Sequence, residues 1–249
     1  MPADTRATAS RVAIVTGGTR GIGRAISERL LDDGWSVMAT FHTDHDNAAA
    51  FAAGREMLAV RRMATSDAAE CGAIVAEAVQ RFGQLDHLVC NAAISRDARV
   101  SDLDDSDWDD VIDANLSTVF RVVRAALGPI EASNAGRVVM VSSVAATMGN
   151  VGQAAYAASK AGLLGLTRTL ARELAASGAT VNLVVPGPTA DTGMTANAEA
   201  SFVQAVIRKI PLRRLGRPAE VAHAVRFLLD DLAAFTTGST VIVDGGLSM

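Results

Sequence analysis

The sequence predicts an α/β fold: a single domain built on a doubly wound parallel sheet of about seven strands, with helices on both faces. Short apolar runs of strand length alternate with amphipathic stretches from Val12 almost to the end of the chain, which is the rhythm that lays helices across a parallel sheet. A glycine-rich segment follows the first apolar run and leads into the first helical stretch, as it does where a βα turn must approach a ligand. The 249 residues, 49% of them hydrophobic, are enough to bury one sizeable core.

In chain order, the strand candidates are Val12–Thr16, Ser36–Phe41, Leu58–Met63, His87–Cys90, Arg137–Ser142, Thr180–Val185 and Thr240–Val243. The stretches between them have helical periodicity. Gly34 suits the end of the first helix, where the chain often needs a left-handed residue. Residues 1–9 read as a loose tail before a domain spanning 10–249. Pro186-Gly187-Pro188 breaks the rhythm, and a polar stretch follows before the apolar set Phe202, Val203, Val206 and Ile207. A substrate lid at about 188–217 is expected, since an insertion after a strand lies where ligands bind in such sheets.

Composition excludes several functions. A net charge of −4 and a pI near 5.6 leave no basic stripe for nucleic acid. The apolar runs are too short and interrupted to span a membrane, and the first residues lack an apolar signal core, so a cytoplasmic protein is expected. Cys71 and Cys90 have neither metal nor redox spacing and read as packing residues. His42, His45, His87 and His223 are scattered, so no metal site is expected.

The segment Gly17-Gly18-Thr19-Arg20-Gly21-Ile22-Gly23 lies between the first strand and a helix. Its glycines let the backbone turn sharply and approach a pyrophosphate, which would face free N–H groups at the amino end of the helix. A plain glycine-rich turn is the bland alternative. At the end of the second strand, where an acidic residue would contact an adenosine ribose, the sequence has Thr40-Phe41-His42-Thr43. Phe41 takes the acid's place, and Arg20 with His42 or Thr43 could bind a 2′-phosphate, which favours NADPH over NADH. Asp44 and Asp46 oppose this, and His42 can equally be read as an exposed loop histidine.

The one tyrosine, Tyr156, is followed four residues later by Lys160, one of only two lysines among 23 basic residues. Both fall in an alanine-rich stretch of high helix propensity, so they share a helix face. A neighbouring ammonium favours phenolate and would bring the tyrosine toward a useful pKa. Ser143 lies thirteen residues before the tyrosine at the end of a strand, where it could hydrogen-bond a carbonyl, although Ser142 serves equally well on position alone. Asn115 lies in a probable helix, and spacing alone does not single it out.

These residues resemble the short-chain dehydrogenase/reductase family over essentially the whole chain. The resemblance runs from Thr16-Gly17 through the loop, Asn91-Ala92, Asn115, Ser143, Tyr156 with Lys160, and Pro186-Gly187. It continues through Pro211–Ala222 to Val243-Asp244-Gly245-Gly246. Within the family, Asn115–Phe120 and Thr147–Gln153 look closest to 3-oxoacyl-acyl-carrier-protein reductases. The resemblance implies a Rossmann-like fold and NADPH-dependent reduction of a ketone, such as a 3-oxoacyl thioester on acyl carrier protein, by a homotetramer. It gives Tyr156 the role of proton donor, Ser143 that of orienting the carbonyl, Lys160 that of holding the nicotinamide ribose and tuning Tyr156, and Asn115 that of supporting a proton-relay water. Cofactor contacts are implied for Gly17, Thr19, Arg20, Gly21, Ile22, Gly23, His42, Asn91, Ala92, Tyr156, Lys160, Pro186 and Gly187, and for Thr189 or Thr192. Met148, Met194 and Phe202 are the candidates for substrate contact.

Three departures stand out. Ala93 replaces a glycine of the family, and Ala64 replaces an acid or asparagine near the adenine, with Asp67 close by. Asn134 and Ser177 occupy positions where the bacterial fatty-acid enzymes carry basic residues for the carrier protein. A ketoreductase acting on a free or polyketide-like ketone therefore stays open, as do an NADP-dependent alcohol or polyol dehydrogenase and a cofactor-binding regulator without turnover. Epimerase or dehydratase chemistry is disfavoured by the glycine spacing.

Overall fold

The structure is a computed structural model that describes residues 11–63, 68–190, 192 and 199–249. Seven strands form one sheet in the order β3-β2-β1-β4-β5-β6-β7, all parallel. They are β1 Val12–Val15, β2 Ser36–Phe41, β3 Leu58–Arg62, β4 His87–Cys90, β5 Arg137–Val141, β6 Thr180–Pro186 and β7 Thr240–Val243. Each expected strand is present with ends shifted by at most one residue. The order reverses direction between β1 and β4, and such a switch point opens a crevice beyond the carboxyl ends of the strands.

Nine α-helices cover the sheet among the described residues: α1 Gly21–Asp32, α2 His45–Ala52, α3 Ala68–Phe82, α4 Asp105–Ile112, α5 Thr118–Ala132, α6 Ala145–Met148, α7 Ala154–Glu173, α8 Ala200–Lys209 and α9 Pro218–Leu228. Both faces of the sheet are buried along β2, β1, β4, β5 and β6, which is why those strands read as continuous apolar runs rather than alternating ones, while the edge strand β7 leaves Thr240 and Ile242 exposed. Ile14, Leu88, Met140 and Leu183 pack against α3, α5 and α7 through Ile74, Val122 and Leu163. Val15, Val37, Val89, Val139 and Val184 face the other way, against Ile26 and Leu30 of α1 and Val225 of α9. Fully burying one such leucine or isoleucine contributes about 2 kcal/mol.

The expected lid lies only partly within the described residues. Thr189 and Gly216 form a parallel bridge, and α8 buries none of its side chains. Met194, Ala64 and Asp67 lie outside the described residues.

A second polar region lies at the amino ends of the central strands, facing α1 and α9. His87, Arg137 and Thr180 occupy one row of paired positions in β4, β5 and β6, all buried. The His87 ring stacks on Trp35, and Arg226 of α9 lies over the indole. Asp86 takes hydrogen bonds from the Val12 amide and Ser133, while Arg11 reaches Asp231 and Asn134.

Candidate active site

The crevice between β1 and β4 is closed from below by side-chain to backbone bonds. Thr16 Oγ1 accepts from the amides of Asn91 at 3.0 Å and Ala92 at 3.1 Å. Asn91 Nδ2 returns a bond to the Thr16 carbonyl at 3.0 Å. The glycine loop rests on this platform. Gly17 and Gly21 have φ of 63° and 52°, which favours glycine. A Cβ on Gly23 would lie 2.1 Å from the Gly17 carbonyl oxygen and 2.5 Å from Asn91 Nδ2. Arg20 precedes α1 with no side-chain cap, and the first turn of the helix holds no acidic residue, so its amino end is a ready anion site.

Tyr156 and Lys160 lie one turn apart on the buried face of α7. Ser143, half-buried, lies near enough to the phenol to oppose the upward shift of its pKa and accepts from the Ala145 amide at 3.2 Å, whereas the Ser142 hydroxyl is buried and donates to the Lys160 carbonyl at 2.9 Å. Adjacent residues at a strand end point to opposite sides, and the structure thereby separates two serines that position alone left equivalent. Lys160 Nζ donates to the Val141 carbonyl at 2.8 Å and sits 5.8 Å from the Tyr156 ring centre. Burial pulls the Lys160 ammonium down to about 8, partly opposed by Cys90. Burial also pushes the Tyr156 phenol above its usual range, with Ser143 opposing the shift and Asp97 adding to it. Desolvation of a phenolate is the largest cause of this shift, and the Lys160 ammonium, expected to draw the phenol down, is not among the causes.

Asn115 falls in a π-helical turn, Asp113–Ser117, between α4 and α5. Its Nδ2 donates to the Ile94 carbonyl at 2.9 Å and to Ser159 Oγ at 3.1 Å, and its Oδ1 accepts from the Ile94 amide at 2.8 Å. Ser159 in turn donates to the Tyr156 carbonyl at 2.7 Å. A fully buried asparagine thus clasps the loop after β4 to the helix that carries the tyrosine. Spacing had pointed to neither Ile94, which acts through its backbone, nor Ser159, although Ser159 lies three residues after Tyr156 on the same helix face.

The remaining expected residues take varied positions. Pro186 ends β6, and Gly187 donates to the Val243 carbonyl at 2.9 Å where a Cβ would meet Asp244. Thr189 is buried and donates to the Gly187 carbonyl at 3.0 Å, while Thr192 donates to the Thr189 carbonyl at 2.9 Å. Thr19 is buried, Ile22 half-buried and packed toward the core, and Arg20 and His42 exposed. His42 Nδ1 lies 3.2 Å from the Met63 carbonyl oxygen. Met148 and Phe202 are exposed, and so is Ala93.

A family profile described as "Enoyl-(Acyl carrier protein) reductase" matches residues 17–248. The chain belongs to the short-chain dehydrogenase/reductase family. It is 40% identical over 244 residues to the 3-oxoacyl-[acyl-carrier-protein] reductase FabG of Escherichia coli K12, covering 96% of this chain and 98% of that protein. The enzyme of the same name from Staphylococcus aureus Mu50 is 39% identical over 245 residues, with 96% and 99% covered. That from Salmonella typhimurium LT2 is 39% identical over 243 residues, with 96% and 98% covered. As a short-chain dehydrogenase/reductase the protein is an oxidoreductase using a nicotinamide cofactor. The glycine cradle that a Cβ would fill, the uncapped amino end of α1 and the buried Lys160 behind Tyr156 fit such a dinucleotide. Among the described residues no helix is long and apolar enough to cross a membrane, and no group of three metal-binding side chains occurs.

Proposed function

We propose that the protein reduces a 3-oxoacyl thioester to the 3-hydroxyacyl thioester with NADPH. The observation that carries this reading is the placing of Tyr156 and Lys160 one turn apart on the buried face of α7, with Ser143 beside the phenol, in a chain 40% identical to a 3-oxoacyl-[acyl-carrier-protein] reductase. A protonated tyrosine is the form that reduction needs, because a proton must reach the carbonyl oxygen as negative charge develops there. When bound, the reduced nicotinamide supplies the hydride for the carbonyl carbon. Ser143 holds the carbonyl oxygen by its hydroxyl, and Tyr156 Oη gives up its proton to that oxygen. Lys160, charged below about pH 8, stabilises the phenolate left behind and offers its remaining hydrogens to a ribose. Asn115 holds the α7 main chain and the loop after β4 in register. Gly17, Gly21 and Gly23 admit the pyrophosphate, with Asn91, Ala92, Pro186, Gly187 and Thr189 lining the crevice beside it. The absence of a carboxylate on Phe41 and the exposed Arg20 favour a 2′-phosphorylated cofactor.

A second reading, reduction of a free or polyketide-like ketone, rests on Asn134 and Ser177. Both lie at the amino ends of strands and are engaged internally: Asn134 accepts from Arg11 at 2.9 Å, and Ser177 donates to the Leu174 carbonyl at 2.8 Å. Neither supplies positive charge for an acidic carrier protein. The deciding experiment follows oxidation of NADPH and NADH with acetoacetyl thioesters on coenzyme A and on acyl carrier protein, and with free ketones. NADPH-dependent turnover that improves on the carrier supports the first reading, and turnover confined to free ketones replaces it with the second. In either case Tyr156→Phe is expected to lower kcat about 10²- to 10⁴-fold while NADPH binding stays within a few-fold. Turnover close to wild type would remove Tyr156 from the mechanism.

A further inference from the structure

We infer that Arg62 is a specificity-determining residue that binds the 2′-phosphate of NADPH across the β2 turn from Arg20. The inference rests on the NADPH reading above. The sheet order β3-β2-β1 places the turn after β2 between the loop after β1, which carries Arg20, and the end of β3, which carries Arg62. A dinucleotide whose pyrophosphate lies on the β1 loop extends its adenosine ribose to the end of β2.

Arg62 is paired in register with Phe41, the last residue of β2. It is exposed, and its Nε donates to the His42 carbonyl at 3.1 Å. This bond fixes one edge of the guanidinium against the turn and leaves the two terminal nitrogens as the free prongs of a fork that suits phosphate.

The charges around the turn support the assignment. Arg61 pairs with Glu77 and Arg24 with Glu28, so these neighbouring cations are committed elsewhere, and Arg62 enters no described ion pair. Of the acids that follow β2, Asp44 accepts from the Asn47 amide at 3.1 Å and caps α2. A capping carboxylate keeps its charge, so Asp44 and Asp46, both exposed, are the negative groups near the turn, and the exposed His45 lies in the same first helical turn. Asn47 Nδ2 donates to the Thr19 carbonyl at 3.0 Å, which ties α2 to the glycine loop and holds the turn close to Arg20.

The test is calorimetric titration of the full chain with 2′,5′-ADP and with ADP, which lacks the 2′-phosphate, at two salt concentrations. Arg62→Met is expected to weaken 2′,5′-ADP about tenfold while ADP stays within twofold, and to flatten the salt dependence of the former. Arg62→Lys, which keeps the charge without the fork, is expected to recover part of the loss, and a thermal unfolding midpoint near wild type shows that the fold is kept. Equal weakening of both ligands, or no weakening of 2′,5′-ADP, overturns the assignment. If the unaltered protein binds 2′,5′-ADP no better than ADP, the NADPH reading and the role of Arg62 both fail. If it does discriminate and Arg62→Met leaves that unchanged, the role of Arg62 fails alone.

Discussion

The central strands bury polar side chains differently at their two ends. At the carboxyl end, Thr16, Asn115, Ser142, Ser159 and Lys160 are each tied to a named partner at 3.1 Å or less. At the amino end, both ring nitrogens of His87, Nε of Arg137 and Oγ1 of Thr180 have no protein partner. Satisfied bonds at one end fix where each atom sits, which is what proton transfer to a carbonyl requires. At the other end these four atoms bring desolvation without a protein partner, beside an Asp86 and an Arg137 Nη1 that are bonded. Polar burial near the reaction therefore supplies geometry, whereas polar burial far from it supplies sensitivity to pH.

That contrast is broken most forcefully by acid. The buried His87 ring, with Arg11, Arg137 and Arg226 around it, is held down to about 3 from an ordinary 6.5. Above pH 6.5 the folded and unfolded chains both carry a neutral ring, and the histidine contributes no pH dependence. Between pH 6.5 and about 3 only the unfolded chain takes up the proton, so stability falls as pH falls, by an amount on the order of 5 kcal/mol over the whole window. His87→Leu should remove this slope. Urea unfolding from pH 8 to 4 should show the variant gaining on wild type steadily below pH 6.5, and parallel curves would mean that His87 is not the sensor.

A smaller effect is expected from the same substitution made at each end. Thr16→Val strips the acceptor from two amides and should cost on the order of 2–4 kcal/mol in unfolding free energy, together with weaker cofactor binding. Thr180→Val replaces an unpartnered hydroxyl by a methyl group of similar size and should change stability by less than about 1 kcal/mol, in the stabilising direction. Denaturant midpoints for the two variants measure the contrast directly, and equal losses would erase it.

The catalytic end was also the more legible in sequence. Apolar runs such as Val12–Val15 and His87–Cys90 mark the strands because a parallel sheet buries both faces, and Gly17, Gly21 and Gly23 stand out because a backbone near an anion tolerates little else. Tyr156 and Lys160 were conspicuous through rarity and helical spacing. What stayed hidden depends on direction in space. Ser142 and Ser143 differ only in which side of the strand end they face, Ile94 acts through backbone atoms, and the π-helical turn at Asp113–Ser117 contains neither glycine nor proline to announce it. His87 was the opposite case, a visible histidine in a strand-length run whose meaning lay in Trp35 and Arg226, distant in sequence. Residue spacing likewise reveals the lysine one turn from Tyr156 but not the depth at which the phenol is buried.

The strand order also bears on how the molecule is made. A ribosome synthesises β1, β2, β3 and β4 before any of Asn115, Ser143, Tyr156 or Lys160, and these first strands alone make up the β3-β2-β1-β4 half of the sheet with its glycine cradle. Each later strand then docks beside one already in place: β5 on β4, β6 on β5, β7 on β6. No strand has to insert between two others after β4 joins, so growth on that side proceeds outward, in step with synthesis from the amino terminus. The nascent chain can thus assemble its glycine-loop half first and add Asn115, Ser143, Tyr156 and Lys160 to a surface that is already shaped.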